Sequence, residues 1–103
     1  NLVARAKLAQ AEVALRTGSA ATALSLAQQV QQQFARGGQL ESEWRAWLIA
    51  ALASEQLGDS SKAAEQRTQA RNVLLKLEQQ WGSEAFKQYT SRPDIQAYRK
   101  ELG

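Results

Sequence analysis

The sequence predicts an all-α protein: a right-handed stack of about two antiparallel helical hairpins, closed by a capping C-terminal helical tail. Three observations predict it. Alanine, leucine, glutamine, glutamate, lysine and arginine dominate the 103 residues, and Pro93 is the single proline; these are the residues that lose least on entering a helix. Gly18 and Gly58 stand forty residues apart inside one local pattern. A small residue lies seven positions before each glycine (Ala11, Ala51) and another five positions after it (Ala23, Ala63). That spacing sets small side chains where two helices joined by a glycine turn press together, so each copy reads as helix, turn, helix.

The first helix is expected over residues 2–17, with Ala6, Ala11, Val13 and Ala14 facing inward and Gly18 as its left-handed cap. Ser19 is placed to cap the second helix. In that helix Ala23, Leu24, Ala27, Val30 and Phe34 form a stripe, and a glutamine-rich face covers the wet side until Gly37 and Gly38 stop it. The third helix starts near 40–42 and runs to Leu57, its buried mass coming from Trp44, Trp47, Leu48, Ala51 and Leu52. Glu41 and Arg45 make a favourable i,i+4 pair worth ~0.3 kcal/mol. Asp59 caps a long fourth helix over 60–81 whose stripe is Ala63, Ala70, Val73, Leu74, Leu77 and Trp81.

Gly82 ends that helix, and Ser83 is placed to cap a short fifth one carrying Phe86 and Tyr89. Ser91, with Asp94 three residues on, resembles a capping box around Pro93. Ile95, Tyr98 and Leu102 then share one face of a last helix able to fold over the open end of the stack. The whole is one domain, divided into a hairpin over 2–36, a hairpin over 39–81 and a capping tail over 83–102.

The chain has neither cysteine nor histidine. Disulfides, thiolate nucleophiles, imidazole bases and the usual zinc ligands are thereby excluded. The longest apolar run, 46–53, is far short of the ~20 residues a membrane helix needs. No signal segment is visible, which points to a cytoplasmic setting, and the lack of any methionine suggests that Asn1 is the cut edge of a longer chain. Net charge is +3, with the excess in the carboxyl half: residues 62–103 carry eight basic and five acidic side chains, interspersed rather than in a run.

Catalytic patterns find no footing. The segment Gly58, Asp59, Ser60, Ser61, Lys62 lacks the upstream glycine and the strand of a phosphate loop, and reads as a capped helix start. Glu41 and Glu43, two apart, point to different faces of a helix. The serines have no histidine to activate them. No catalytic residue, metal ligand or cofactor is expected.

Residues 4–77 resemble the tetratricopeptide repeat (TPR) family. Ala11, Ala14, Gly18, Ala23 and Val30 in the first copy, and Trp47, Ala51, Ser54, Leu57, Gly58, Ala63 and Ala70 in the second, fall on its small and apolar positions. Trp47 takes the place of the family's early aromatic. The forty-residue period exceeds the ~34 of that family and falls in the ~40–47 range of HEAT-type repeats. Extra residues between Gln32 and Glu43, around Gly37 and Gly38, account for the excess. Arg67 replaces a small residue expected opposite Ala27.

The resemblance implies an inner, concave wall made by the first helix of each pair. Here it would present Arg5, Leu8, Glu12, Leu15 and Arg16, then Arg45, Leu48, Leu52, Glu55 and Gln56. Leucines flanked by charges suit a peptide or helix with polar anchors. A two-carboxylate clamp of the kind that holds chaperone termini is not implied, because Leu8, Glu12 and Ile49 occupy the matching places. The family likeness further implies the C-terminal part of a larger bacterial regulatory or signalling protein.

The function expected is therefore that of a non-catalytic protein-protein interaction or scaffold module. Two alternatives stand beside it. One is nucleic-acid binding through the basic carboxyl half, where Tyr89, Arg92, Tyr98 and Arg99 interleave aromatics with cations. The other is self-association, as a homodimer, through the open N-terminal hairpin.

Overall fold

The computed structural model describes residues 2–103, in which six helices follow one another: α1 Leu2–Arg16, α2 Ala20–Arg36, α3 Leu40–Gln56, α4 Ser60–Trp81, α5 Ser83–Thr90 and α6 Pro93–Leu102. No strand occurs among these residues. Consecutive helices pack along their lengths from α1 to α4, α1 also touches α3, and α6 returns to lie on α3 and α4. The result is an all-α, repeat-like stack with a folded-back tail.

The two hinges are built alike. After α1, Ser19 N–H donates to Ala14 O (2.8 Å) and Gly18 N–H to Leu15 O (3.4 Å); after α3, Asp59 N–H donates to Ser54 O (2.9 Å) and Gly58 N–H to Glu55 O (3.0 Å). This doubled bond closes a helix with one residue in the left-handed region, and Gly18 (φ +84°) and Gly58 (φ +86°) supply it without a Cβ penalty. The helix starts differ. Asp59 Oδ1 accepts from Lys62 N–H at 3.0 Å, whereas Ser19 precedes α2 without a side-chain cap bond. Ser83 does not cap α5; Gly82 precedes that helix and Ser83 is its first residue. Nor does Ser91 open a capping box: Arg92 is the N-cap of α6, and Ser91 Oγ donates to Gln88 O (2.7 Å).

Small residues set the closeness of the stack. Ala11, Ala23, Ala51 and Ala63 are all buried, Ala14 nearly so. Between α1, α2 and α3 the core is alanine-rich, joining Ala4, Ala27, Ala46 and Ala50 to Leu8, Val30, Phe34 and Ile49. Between α3, α4 and the tail it is built of large side chains, with Trp44, Leu48, Leu74, Leu77, Phe86, Tyr89, Ile95 and Leu102 together. Burying each such side chain contributes on the order of 1.5–3 kcal/mol. α3 serves both cores and is therefore buried on most of its sides.

α4 outlasts its partner, 22 residues against 17. At 1.5 Å per residue the overhang is roughly 7 Å. α5 packs on α4, and α6 runs back from there. Ile95 and Leu102 are buried as the tail's stripe predicts, while Tyr98 is half-buried.

Several expected core residues lie outside. Ala6 is exposed and Val13 is 61% exposed. Forty residues on, Ala46 and Ala53 hold the same places on α3 and are buried in the cores shared with α1 and α2. α1 has no helix before it among the described residues, so the same face is bare. Trp81 is 41% exposed, its ring meeting Tyr89 edge-on at 5.2 Å. Trp47 and Leu52 are half-buried, and Trp44 takes the full burial instead.

Candidate partner-binding surfaces

The wall formed by α1 and α3 carries the ten residues implied to meet a partner, and the structure divides them. Leu8 and Leu48 are not on the surface: at 3% and 0% exposure they are core, Leu48 against α4 and the tail. For Leu48 the reason is the tail, which covers the side of α3 that a groove would leave open; Leu8 is enclosed by α1, α2 and α3 themselves. Leu15 and Leu52 are half-buried; Arg5, Arg16, Glu55 and Gln56 are exposed. Gln56, one turn beyond Leu52, donates from Nε2 to Leu15 O at 3.4 Å, so both leucines sit at the hinge end of the wall.

Most charges on this wall are satisfied within the molecule. Glu12 accepts from Arg16 Nη2 (2.9 Å) and from the Tyr98 hydroxyl of α6. Arg45 pairs with Glu41 (3.4 Å), the i,i+4 pair expected, and its guanidinium lies 5.9 Å from the Tyr98 ring centroid. Arg67, the misfit among small residues, forks onto Glu55 through Nη1 (3.0 Å) and Nη2 (3.3 Å) and donates from Nε to Glu101 O (3.2 Å). The Arg67 hydrogen bond, then its charge, hold the Glu55 carboxyl below the ordinary carboxylate range.

Beneath the wall lies a buried polar network. Trp44 Nε1–H donates to the Tyr89 hydroxyl at 3.0 Å, and that hydroxyl donates to Glu41. Ser54 Oγ donates to Gln66 Oε1 at 2.7 Å across the second hairpin. Burial, then the bond to Glu41, pushes the Tyr89 phenol well above its ordinary value; burial, then Glu12, pushes Tyr98 up to about 12. These bonds fix the tail to α3 and α1. Neither tyrosine is presented as a stacking platform: Tyr89 is 7% exposed, and Arg92 sits 5.7 Å above its ring while paired with Asp94 at 2.8 Å.

Glu41 and Glu43 point apart. Glu43 is buried and accepts from Trp47 Nε1 at 3.2 Å and Gln31 Nε2 at 3.4 Å. Trp47 lies in a shallow, glutamine-lined groove between α2 and α4.

A second concavity had no counterpart in the sequence reading. Between α4, α5 and α6 a groove of about 630 Å³ is floored by Leu74, Leu75, Phe86 and Leu102 and edged by Arg71, Arg99 and Lys100. Its only sequence signal is the basic excess of the carboxyl half, which says nothing of where the cations gather.

Compared with protein-family models, with curated proteins and with solved structures, the chain has no match. No helix among the described residues is long and apolar enough to cross a membrane.

Proposed function

We propose that this chain is a non-catalytic, TPR-like interaction module that holds a peptide, helix or neighbouring domain against the open, hinge end of the α1/α3 wall. The observation that carries the reading is the placing there of partly exposed Leu15 and Leu52, bordered by exposed Arg16, Glu55 and Gln56. Apolar anchors ringed by polar groups are what a peptide groove needs. A bacterial origin and a cytoplasmic setting belong to the same proposal, which involves no cofactor and no membrane. The test is selection of binders from a displayed peptide library, followed by Leu15→Gln with Leu52→Gln. The selected peptides should bind the variant about tenfold or more weakly while its far-UV circular dichroism stays that of the folded parent, with some loss of melting temperature because both leucines also pack on the cores. Peptides indifferent to both changes would refute the site.

Self-association has a specific observation in its favour. Leu2, Ala6, Ala9 and Val13 form an exposed apolar stripe at helical spacing on the outer side of α1. Sedimentation equilibrium should then give a mass that rises with concentration, and Val13→Lys should abolish the rise. Nucleic-acid binding is the less supported alternative, because its two tyrosines anchor the tail.

A further inference from the structure

Of the thirteen cations of this molecule, four stand in ion pairs among the described residues and nine do not, and three of those nine gather at one groove. Arg16, Arg45, Arg67 and Arg92 each stand in an ion pair. Arg71, Arg99 and Lys100 take part in none among the described residues, and all three border the groove between α4, α5 and α6. Arg71 makes one bond there, from Nη2 to Leu102 O at 3.4 Å, which leaves its charge uncompensated. Glu78 is the only acidic side chain in the lining.

We propose that this groove is a docking site for an acidic amphipathic helix of a partner protein, distinct from the wall at α1 and α3. Its shape fits that occupant. Arg71, Leu74, Leu75 and Glu78 follow i, i+3, i+4, i+7 spacing along α4, so the floor runs about 10 Å, or two turns, beside α6. The volume of about 630 Å³ lies within the range of ligand sites. Leu74, Phe86 and Leu102 show little surface in the floor, while Leu75 is 56% exposed within it, an apolar surface that a ligand leucine would cover.

Charge decides which helix. Three cations against one carboxylate repel a basic ligand and draw an acidic one, raising its association rate and discriminating against other sequences. Lining aromatics decide against nucleic acid. Phe86 is 8% exposed and the tyrosines lie elsewhere, so no ring is offered on which bases would stack.

The test uses four fluorescent probes measured by anisotropy: a helical peptide with leucines at i, i+3, i+4, i+7 and glutamates between; the same peptide with lysines for glutamates; the same with serines for leucines; and a single-stranded oligothymidine. The first should bind, and each other probe about tenfold or more weakly. Its affinity should fall with salt. Leu75→Ser, and separately Arg99→Gln with Lys100→Gln, should each weaken it about tenfold without lowering the melting temperature appreciably, since all three side chains are exposed. Amide shifts on binding should map to 71–78 and 96–103. Absence of binding, equal binding of the serine peptide or of oligothymidine, or shifts confined to the α1/α3 wall would overturn the proposal. The last outcome would leave the wall reading standing and remove only this one.

Discussion

The α1/α3 wall and the α4/α5/α6 groove are made of the same ingredients, leucines among charged side chains, yet they use them in opposite ways. On the wall, Leu8 and Leu48 have become core, Arg16 and Arg45 are each answered by a carboxylate, and Glu55 is answered by Arg67 of α4, with Arg5 the wall's one arginine outside an ion pair among the described residues. In the groove, Leu75 stays exposed and Arg71, Arg99 and Lys100 have no carboxylate paired with them among the described residues. Leu8 is enclosed by α1, α2 and α3 themselves, but for Leu48 the difference comes from the tail. By folding back across α3 it converts one surface into interior, and in doing so creates a second surface along its far edge.

The sharpest way to break this comparison is to place the same charge on both sides of it. Leu48→Glu buries an unpaired carboxylate among Trp44, Leu74 and Ile95 and should cost about 4 kcal/mol or more. Circular dichroism is expected to show a largely unfolded chain. Leu75→Glu adds a charge to an exposed position and should stay within about 0.5 kcal/mol of the parent in urea unfolding. Equal losses would mean that the two regions do not differ as described.

A second intervention reads how the tail is held. Tyr89→Phe leaves the Trp44 indole N–H without its acceptor in a buried site and should cost about 1–3 kcal/mol. The same anchors predict an alkaline limit. Both phenols have folded-state pKa values above the ordinary 10.0, Tyr98 reaching about 12. A raised value means that the contribution is whole below pH 10.0 and drains away as the pH climbs toward 12. Melting temperature should therefore fall across that interval. Tyr98→Phe should flatten the fall, and an unchanged alkaline slope in that variant would mean that burial and Glu12 do not hold this phenol above its ordinary value.

What the sequence made legible is what local spacing encodes. Glycines forty apart, with alanines at matched offsets, define hairpins whatever lies around them, and the tail's Ile95 and Leu102 share a face that only burial explains. Tertiary choices were not legible. Ala6 and Val13 have the pattern of Ala46 and Ala53, and differ only in having no helix opposite. Leu48 is among the expected buried residues of α3 and Leu75 lies outside the α4 stripe, as found, but spacing did not tell that the tail would cover Leu48 rather than leave it on the wall. Charges behaved likewise: the Arg45 pair is visible at i,i+4, but the Tyr98 to Glu12 and Arg67 to Glu101 contacts join residues far apart in the chain. Arg67, a misfit by repeat logic, turns out to tie the hairpin to its cap.

The smallest expected effect separates committed cations from uncommitted ones. Arg67→Gln removes the fork to Glu55 and the bond to Glu101 O, so it should lower the melting temperature, and less so at high salt. Arg99→Gln with Lys100→Gln removes two charges that pair with nothing among the described residues and should leave stability within about 0.5 kcal/mol. Acid adds a second reading of the same contrast. Because Arg67 depresses the Glu55 carboxyl below 4.5, that pair's contribution is whole above pH 4.5 and fades as the pH falls below it. Arg67→Gln and Glu55→Gln should each remove this part of the acid-side loss, whereas the Arg99 and Lys100 variant should retain it. If all three variants lost it alike, the division of the arginines into paired and unpaired would have no energetic meaning, and the groove's claim to an anionic partner would lose its physical basis.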